Sequence, residues 1–192
     1  MRIRGLVLAA WLVKAVTIAL LLFAATHTDW ERFADKAMAA RAVAYPLALL
    51  AIPVVWFAVG RHRRPYPGLA DLLLSTPFGV DVAGNAVNAY DRISWFDDAC
   101  HFLNWGLLLG SLAVSLPRQL PAAVQLGLVV GLGSTTALGW ELLEYTAFIR
   151  HGTELDTAYT DTLGDMALGT LGSLCAGAIV VLARRRGGAS GG

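Results

Sequence analysis

Four short stretches of the chain carry the residue types that could do chemistry. Asp97 and His101 stand four apart in Trp-Phe-Asp-Asp-Ala-Cys-His-Phe, with Asp98 beside them and Asn104 continuing the stripe. Glu141 and Glu144 stand three apart just before Tyr145, and Asp161 and Asp165 stand four apart. Upstream, Asp81, Asn85 and Asn88 recur at i, i+4, i+7 and Asp91 follows them. In a helix each of these sets falls on one face. Carboxylates crowded together cannot all ionise unless protons or a cation neutralise them. Oxygen donors with one imidazole suit magnesium, manganese, iron or zinc. The pattern predicts Glu141, Glu144, Asp161, Asp165 and His101 as ligands of a divalent metal, while His151 reads as a surface residue that could add a second nitrogen donor. Asp97, Asp98 and His101 are then the groups that move protons at a metal-activated water. Asp81, Asn85, Asn88, Asp91, Asn104 and Tyr145 are the supporting polar residues.

Each of these residues also has a plainer reading. Acids are favoured at helix N-termini, so Asp98 and Asp161 fit N-caps as well as ligands. His101 fits a hydrogen-bonded packing histidine equally well, and His27 and His62 read as surface residues. Lys14 reads as a snorkelling lysine or as a partner for Asp81. Trp95, Phe96, Trp105, Trp140 and Tyr145 read as an aromatic belt at a membrane boundary.

The composition says what must position these groups. Of 192 residues, 56% are apolar and 15% charged, and the mean hydropathy is +0.58. Soluble domains carry about 25% charge, because they must cover their surface with solvated groups. Fifteen basic against 14 acidic residues give a net charge of +1, which excludes the basic excess that nucleic-acid binding needs. High hydropathy likewise excludes intrinsic disorder. The chain is predicted to be an all-α, polytopic transmembrane bundle whose partner is the lipid bilayer.

A span takes about 20 apolar residues, and six stretches come near that: 5–25, 43–60, 69–90, 99–116, 122–149 and 163–183. The third is diluted by Asp71, Asp81, Asn85 and Asn88. Residues 26–41 place Trp30, Phe33, Ala37 and Met38 at helical spacing, which predicts an amphipathic helix on the outer interface. Residues 187–192 read as a flexible tail, making 1–186 a single membrane domain. Nine basic residues (Arg2, Arg4, Arg61, Arg63, Arg64, Arg118, Arg184, Arg185 and Arg186) share one side and five share the other. The bias puts both termini in the cytoplasm. On that topology the acids, Asp71 excepted, gather on the outer side. Gly106-x-x-x-Gly110, Gly127-x-x-x-Gly131 and Gly169-x-x-x-Ser173 are small-residue faces that would draw spans four, five and six together. Cys100 and Cys175 lie at different depths and are not expected to pair.

At these residues the chain resembles a known group. Gly-Asn-x-x-x-x-Tyr-Asp-x-x-x-Trp-Phe-Asp-Asp-x-x-His-Phe over 84–102, Trp-Glu-x-x-Glu-Tyr over 140–145 and Asp-Thr-x-Gly-Asp over 161–165 are similar to the YjdF-type inner membrane proteins. More distantly, Asp-x-x-x-His-Phe and the late Asp165 and Gly172 resemble VanZ-like proteins. The resemblance implies a multi-pass protein of the bacterial cytoplasmic membrane and brings no assigned reaction. Three functions follow from the residues: a metal-dependent hydrolase or transferase on a lipid-linked or envelope substrate, a non-catalytic accessory or binding protein, and a proton- or cation-coupled transporter.

Overall fold

The computed structural model describes residues 2–34, 36–60, 64–147, 149–151 and 153–189. The expectations for Asp35, Arg61, His62, Arg63 and positions 190–192 lie outside them, as does that for the His151 side chain. Among the described residues the chain is all-helical, with seven α-helices and no strands. These are α1 (Arg2–Ala25), α2 (Met38–Val55), α3 (Gly68–Ala86), α4 (Ala89–Arg92), α5 (Phe96–Ser115), α6 (Ala122–Ala147) and α7 (Ala158–Ala189). Four stretches are long and apolar enough to cross a membrane: Arg4–Ala25, Met38–Val59, Ala122–Ala147 and Ala158–Gly187. The helices α3 and α5 reach 19 and 20 residues, but the acids and amides singled out above interrupt their apolar character. The chain divides into two compact units, Met1–Asp97 and Asp98–Gly192.

In the first unit α1 packs along α3, and α2 packs on both. Leu21, Tyr45 and Val82 form one core cluster, with Leu20 and Phe78 against it. Ala24, Phe33 and Met38 form another. Their outward faces are apolar and bare: Leu8 is 71% exposed and Leu47 70%. Such faces require a lipid solvent, because in water they would be a large unburied apolar patch. Residues 26–34, 36 and 37 form turns and bends, not the predicted amphipathic helix. Phe23, His27, Trp30 and Phe33 stack on one another, which folds the chain back over the end of α1. Ala37 then takes a left-handed conformation (φ 49°), and α2 starts at Met38. Pro53 lies near the end of α2, which passes into a π-turn over Trp56–Gly60.

A buried ion pair ties the unit together. Lys14 Nζ donates to Asp71 Oδ1 at 2.6 Å and to Ser75 Oγ at 2.9 Å. The other Asp71 oxygen accepts from the Tyr66 hydroxyl at 2.6 Å. Lys14 therefore bridges α1 to the start of α3 and neither snorkels nor meets Asp81. An α-helix advances 1.5 Å per residue, and the parallel course of α1 and α3, with Val7 beside Gly68 and Leu21 packed with Val82, sets Lys14 level with Asp71, ten positions before Asp81.

In the second unit α6 and α7 pack along each other, and glycines admit α5. A Cβ on Gly172 would collide with the Phe102 carbonyl oxygen, one on Gly169 with the Trp105 ring, and one on Gly133 with the Ser173 side chain. A Cβ on Gly106 would lie 3.2 Å from the Gly172 carbonyl oxygen. The predicted close approach is present at these positions. Gly127 and Gly131 differ, since nothing lies within 4 Å of either, and that small-residue face points away from the packing. Arg184, counted above only as a marker of sidedness, donates to Gln125 Oε1 at 2.6 Å and to the carbonyls of Ala113, Val114 and Leu116. It satisfies the orphan carbonyls at the end of α5, as a basic residue at a helix C-terminus does. The helix α7 continues through Ala189, so positions 187–189 of the expected tail are helical. Cys100 and Cys175 are not joined in a disulfide.

Candidate metal centre

Three helices of the second unit bring their polar stripes to one end. On α6 the spacing of three buries Glu141 and half-buries Glu144, while Leu142, Leu143 and Tyr145 face outward. On α7, Asp165 shares its buried face with Gly169, Gly172 and Ser173, and the missing Cβ atoms let α5 close over it. On α5, His101 is buried between them. Its Nδ1 lies 3.6 Å from Glu141 Oε1 and its Nε2 lies 3.8 Å from Asp165 Oδ1. His101, Glu141 and Glu144 each offer a donor atom within 4.8 Å of the others.

These separations are longer than hydrogen bonds, and they suit donors gathered around one ion. At a metal–ligand bond of about 2.1 Å, neighbouring donors stand roughly 3.0–3.4 Å apart in octahedral or tetrahedral geometry. The 3.6 Å between His101 Nδ1 and Glu141 Oε1 stands a few tenths of an ångström from that spacing. The two imidazole nitrogens face different acids, so one can ligate while the other donates to a carboxylate. That is the usual way a ligating histidine is oriented and its tautomer fixed. Asn104, one turn further along α5, has a buried Oδ1 that accepts no hydrogen bond among the described residues. Asp97 stands one turn before His101 on the same helix.

The other predicted site residues fall elsewhere. Asp98 and Asp161 are exposed and near enough to one another to interact electrostatically. Tyr145 is also exposed. In the first unit, Asp81 pairs with Arg41 at 2.5 Å and accepts from the hydroxyls of Tyr45 at 2.7 Å and Tyr90 at 3.0 Å. Asn85 donates to the Asp81 carbonyl oxygen at 2.9 Å. Asp91 pairs with Lys36 at 2.8 Å on the surface. Asn88 ends the α3 region in a left-handed conformation (φ 59°). These residues build an ion-pair network whose cations are Arg41 and Lys36. No spacing rule could have matched them, because the partners lie 40 and 55 positions apart. The contrast between the units is chemical. Asp71, Asp81 and Asp91 each meet a lysine or arginine, whereas Glu141 and Asp165 meet an imidazole.

Apolar helices of membrane-spanning length, lipid-facing outer surfaces and a buried acid–imidazole cluster at one end define an integral membrane helix bundle. Residues 9–186 match the family described as "Predicted membrane protein (DUF2238)", and the chain belongs to that family. No curated protein and no solved structure matches it.

Proposed function

We propose that the chain is a multi-pass protein of the bacterial cytoplasmic membrane that binds one divalent cation at His101, Glu141 and Glu144, with Asp165 orienting His101. It acts there as a hydrolase or transferase on a lipid-linked or envelope substrate. In this reading α3 and α5 also cross the bilayer, giving six spans with both termini cytoplasmic and the cluster facing outward. The resemblance of the 84–102, 140–145 and 161–165 motifs to YjdF-type and, more distantly, VanZ-like membrane proteins agrees with that location.

The observation that carries the proposal is the set of donor atoms of His101, Glu141 and Glu144 lying within 4.8 Å of one another on packed helices. Acids inside a membrane protein are costly, about 2.5–3.5 kcal/mol for Asp at a helix centre, and they persist where they have work to do. A divalent cation would neutralise the cluster and lower the pKa of a bound water. Asp97, one turn before His101, would accept the proton from that water, and Asp98 and Asp161 would line the approach. Asp165 would hold the His101 ring through Nε2.

Metal analysis of the detergent-purified protein tests this. The wild type should retain about one equivalent of magnesium, manganese, iron or zinc after loading and desalting. Glu141→Gln and Asp165→Asn should each weaken retention at least tenfold, as the loss of a ligand or its orienting partner does. Absence of bound metal under every loading condition would overturn the reading. A proton or cation flux in liposomes that the same substitutions abolish would replace it with a carrier.

A further inference from the structure

The first unit contains a cavity of about 450 Å³ lined by Trp30, Glu31, Arg32, Val87, Asn88 and Arg92. It lies between the turns that follow α1 and the break between α3 and α4. Two guanidinium groups and one carboxylate share its wall, an arrangement that suits a zwitterion better than a simple anion. Arg32 is fixed in place: it donates to the Ala86 carbonyl at 2.8 Å and its guanidinium lies 5.4 Å from the Trp30 ring centre. One such bond leaves most of its five N–H donors for a ligand. Asn88 also lines the cavity.

The depth of the cavity narrows the choice. It opens next to the end of α1 and the start of α2, two stretches long enough to cross a membrane, and so lies where lipid headgroups lie. Trp30 and Val87 are partly exposed at its rim, as aromatic and apolar side chains are in the interfacial layer.

We propose that this cavity binds the phosphoethanolamine headgroup of a bilayer lipid. Arg32 and Arg92 take the phosphate, for which paired planar N–H donors are well shaped. Glu31 accepts from the ammonium, which carries three N–H donors. A choline headgroup has no N–H to donate, and a glycerol headgroup has no positive charge for Glu31. None of these residues belongs to the metal cluster, so the two proposals fail separately.

The test is a titration of the full-length protein, in neutral detergent, with short-chain phosphatidylethanolamine followed by calorimetry or native mass spectrometry. Phosphatidylcholine, phosphatidylglycerol and free phosphoethanolamine of matched concentration form the other arms. Phosphatidylethanolamine should bind saturably and at least tenfold more tightly than phosphatidylcholine. Arg92→Gln should weaken it about tenfold, and Glu31→Gln should erase its advantage over phosphatidylglycerol. Both side chains are exposed, so an unchanged unfolding temperature should show that the variants fold. Equal affinity for the ethanolamine and choline lipids overturns the proposal, as does tighter binding of phosphatidylglycerol by the wild type. Indifference to both substitutions also overturns it. Free phosphoethanolamine binding as tightly as the lipid would overturn the bilayer as its source.

Discussion

Replacing Lys14 by Met should destabilise the protein by about 3–4 kcal/mol, and adding Asp71→Leu should recover most of that loss. Lys14 is 2% exposed and Asp71 fully buried, with 2.6 Å between their charges. Removing the ammonium takes the donor from Asp71 Oδ1 and leaves the carboxylate with only the Tyr66 hydroxyl on its other oxygen. An uncompensated charge of this kind costs about 3–5 kcal/mol in protein interiors, and insertion scales for Asp in a membrane helix give about 2.5–3.5. The two ranges overlap near 3–4 kcal/mol. Asp71→Asn should cost a similar amount from the other side, since Lys14 would keep only Ser75. With both charges gone, two apolar side chains of similar size face each other, and replacing a buried pair in this way is often neutral. The coupling energy from the double-mutant cycle should therefore be at least about 2 kcal/mol. Reversible unfolding in mixed micelles, followed by circular dichroism, measures it. Single substitutions that cost under 1 kcal/mol, or a double substitution that costs the sum of the two, would refute the claim that this pair binds α1 to α3.

The glycines of the second unit give a paired test: Gly172→Ala should cost 3 kcal/mol or more, above the ~1–3 typical of overpacking because the obstacle is backbone. Gly127→Ala, in open space, should stabilise by up to about 1 kcal/mol through helix propensity, and equal effects in a thermal melt would contradict the packing. Tyr66 lies before α3, and burial, then its hydrogen bond to Asp71, push its phenol well above the usual value of 10.0. A pKa raised in the folded state means that the Tyr66 contribution is intact below about pH 10 and fades as pH climbs past it. Tyrosinate absorbance up to pH 11 should accordingly be the same in the wild type and Tyr66→Phe, and a drop of one residue's worth in the variant would contradict this. Arg184→Met should free the α5 carbonyls and lower the melting temperature by several degrees, whereas Arg185→Met, exposed beside it, should leave the temperature unchanged.

The sequence by itself determined the solvent and the kind of element. Runs of about 20 apolar residues and a charge content of 15% allow only helices in lipid, because no other secondary structure satisfies its own backbone there without closing a barrel. Local spacing also determined which acids share a face: Glu141 with Glu144, and Asp97 with His101, are consequences of 3.6 residues per turn. What spacing could not decide was pairing across helices. Asp81, Asp165 and Glu141 look alike as acids near helix ends, yet Asp81 meets Arg41 and the other two meet His101. Lys14 could as well have met Asp81 as Asp71 until the register of α1 against α3 was fixed. Gly127 and Gly172 carry the same residue and opposite roles, decided by which face turns inward. Periodicity is a property of one helix, whereas partners depend on the rotation and depth of two. The chain's nearly balanced charge is thereby divided: buried lysine and arginine pairs in the first unit, and an acid–imidazole cluster fit for a cation in the second.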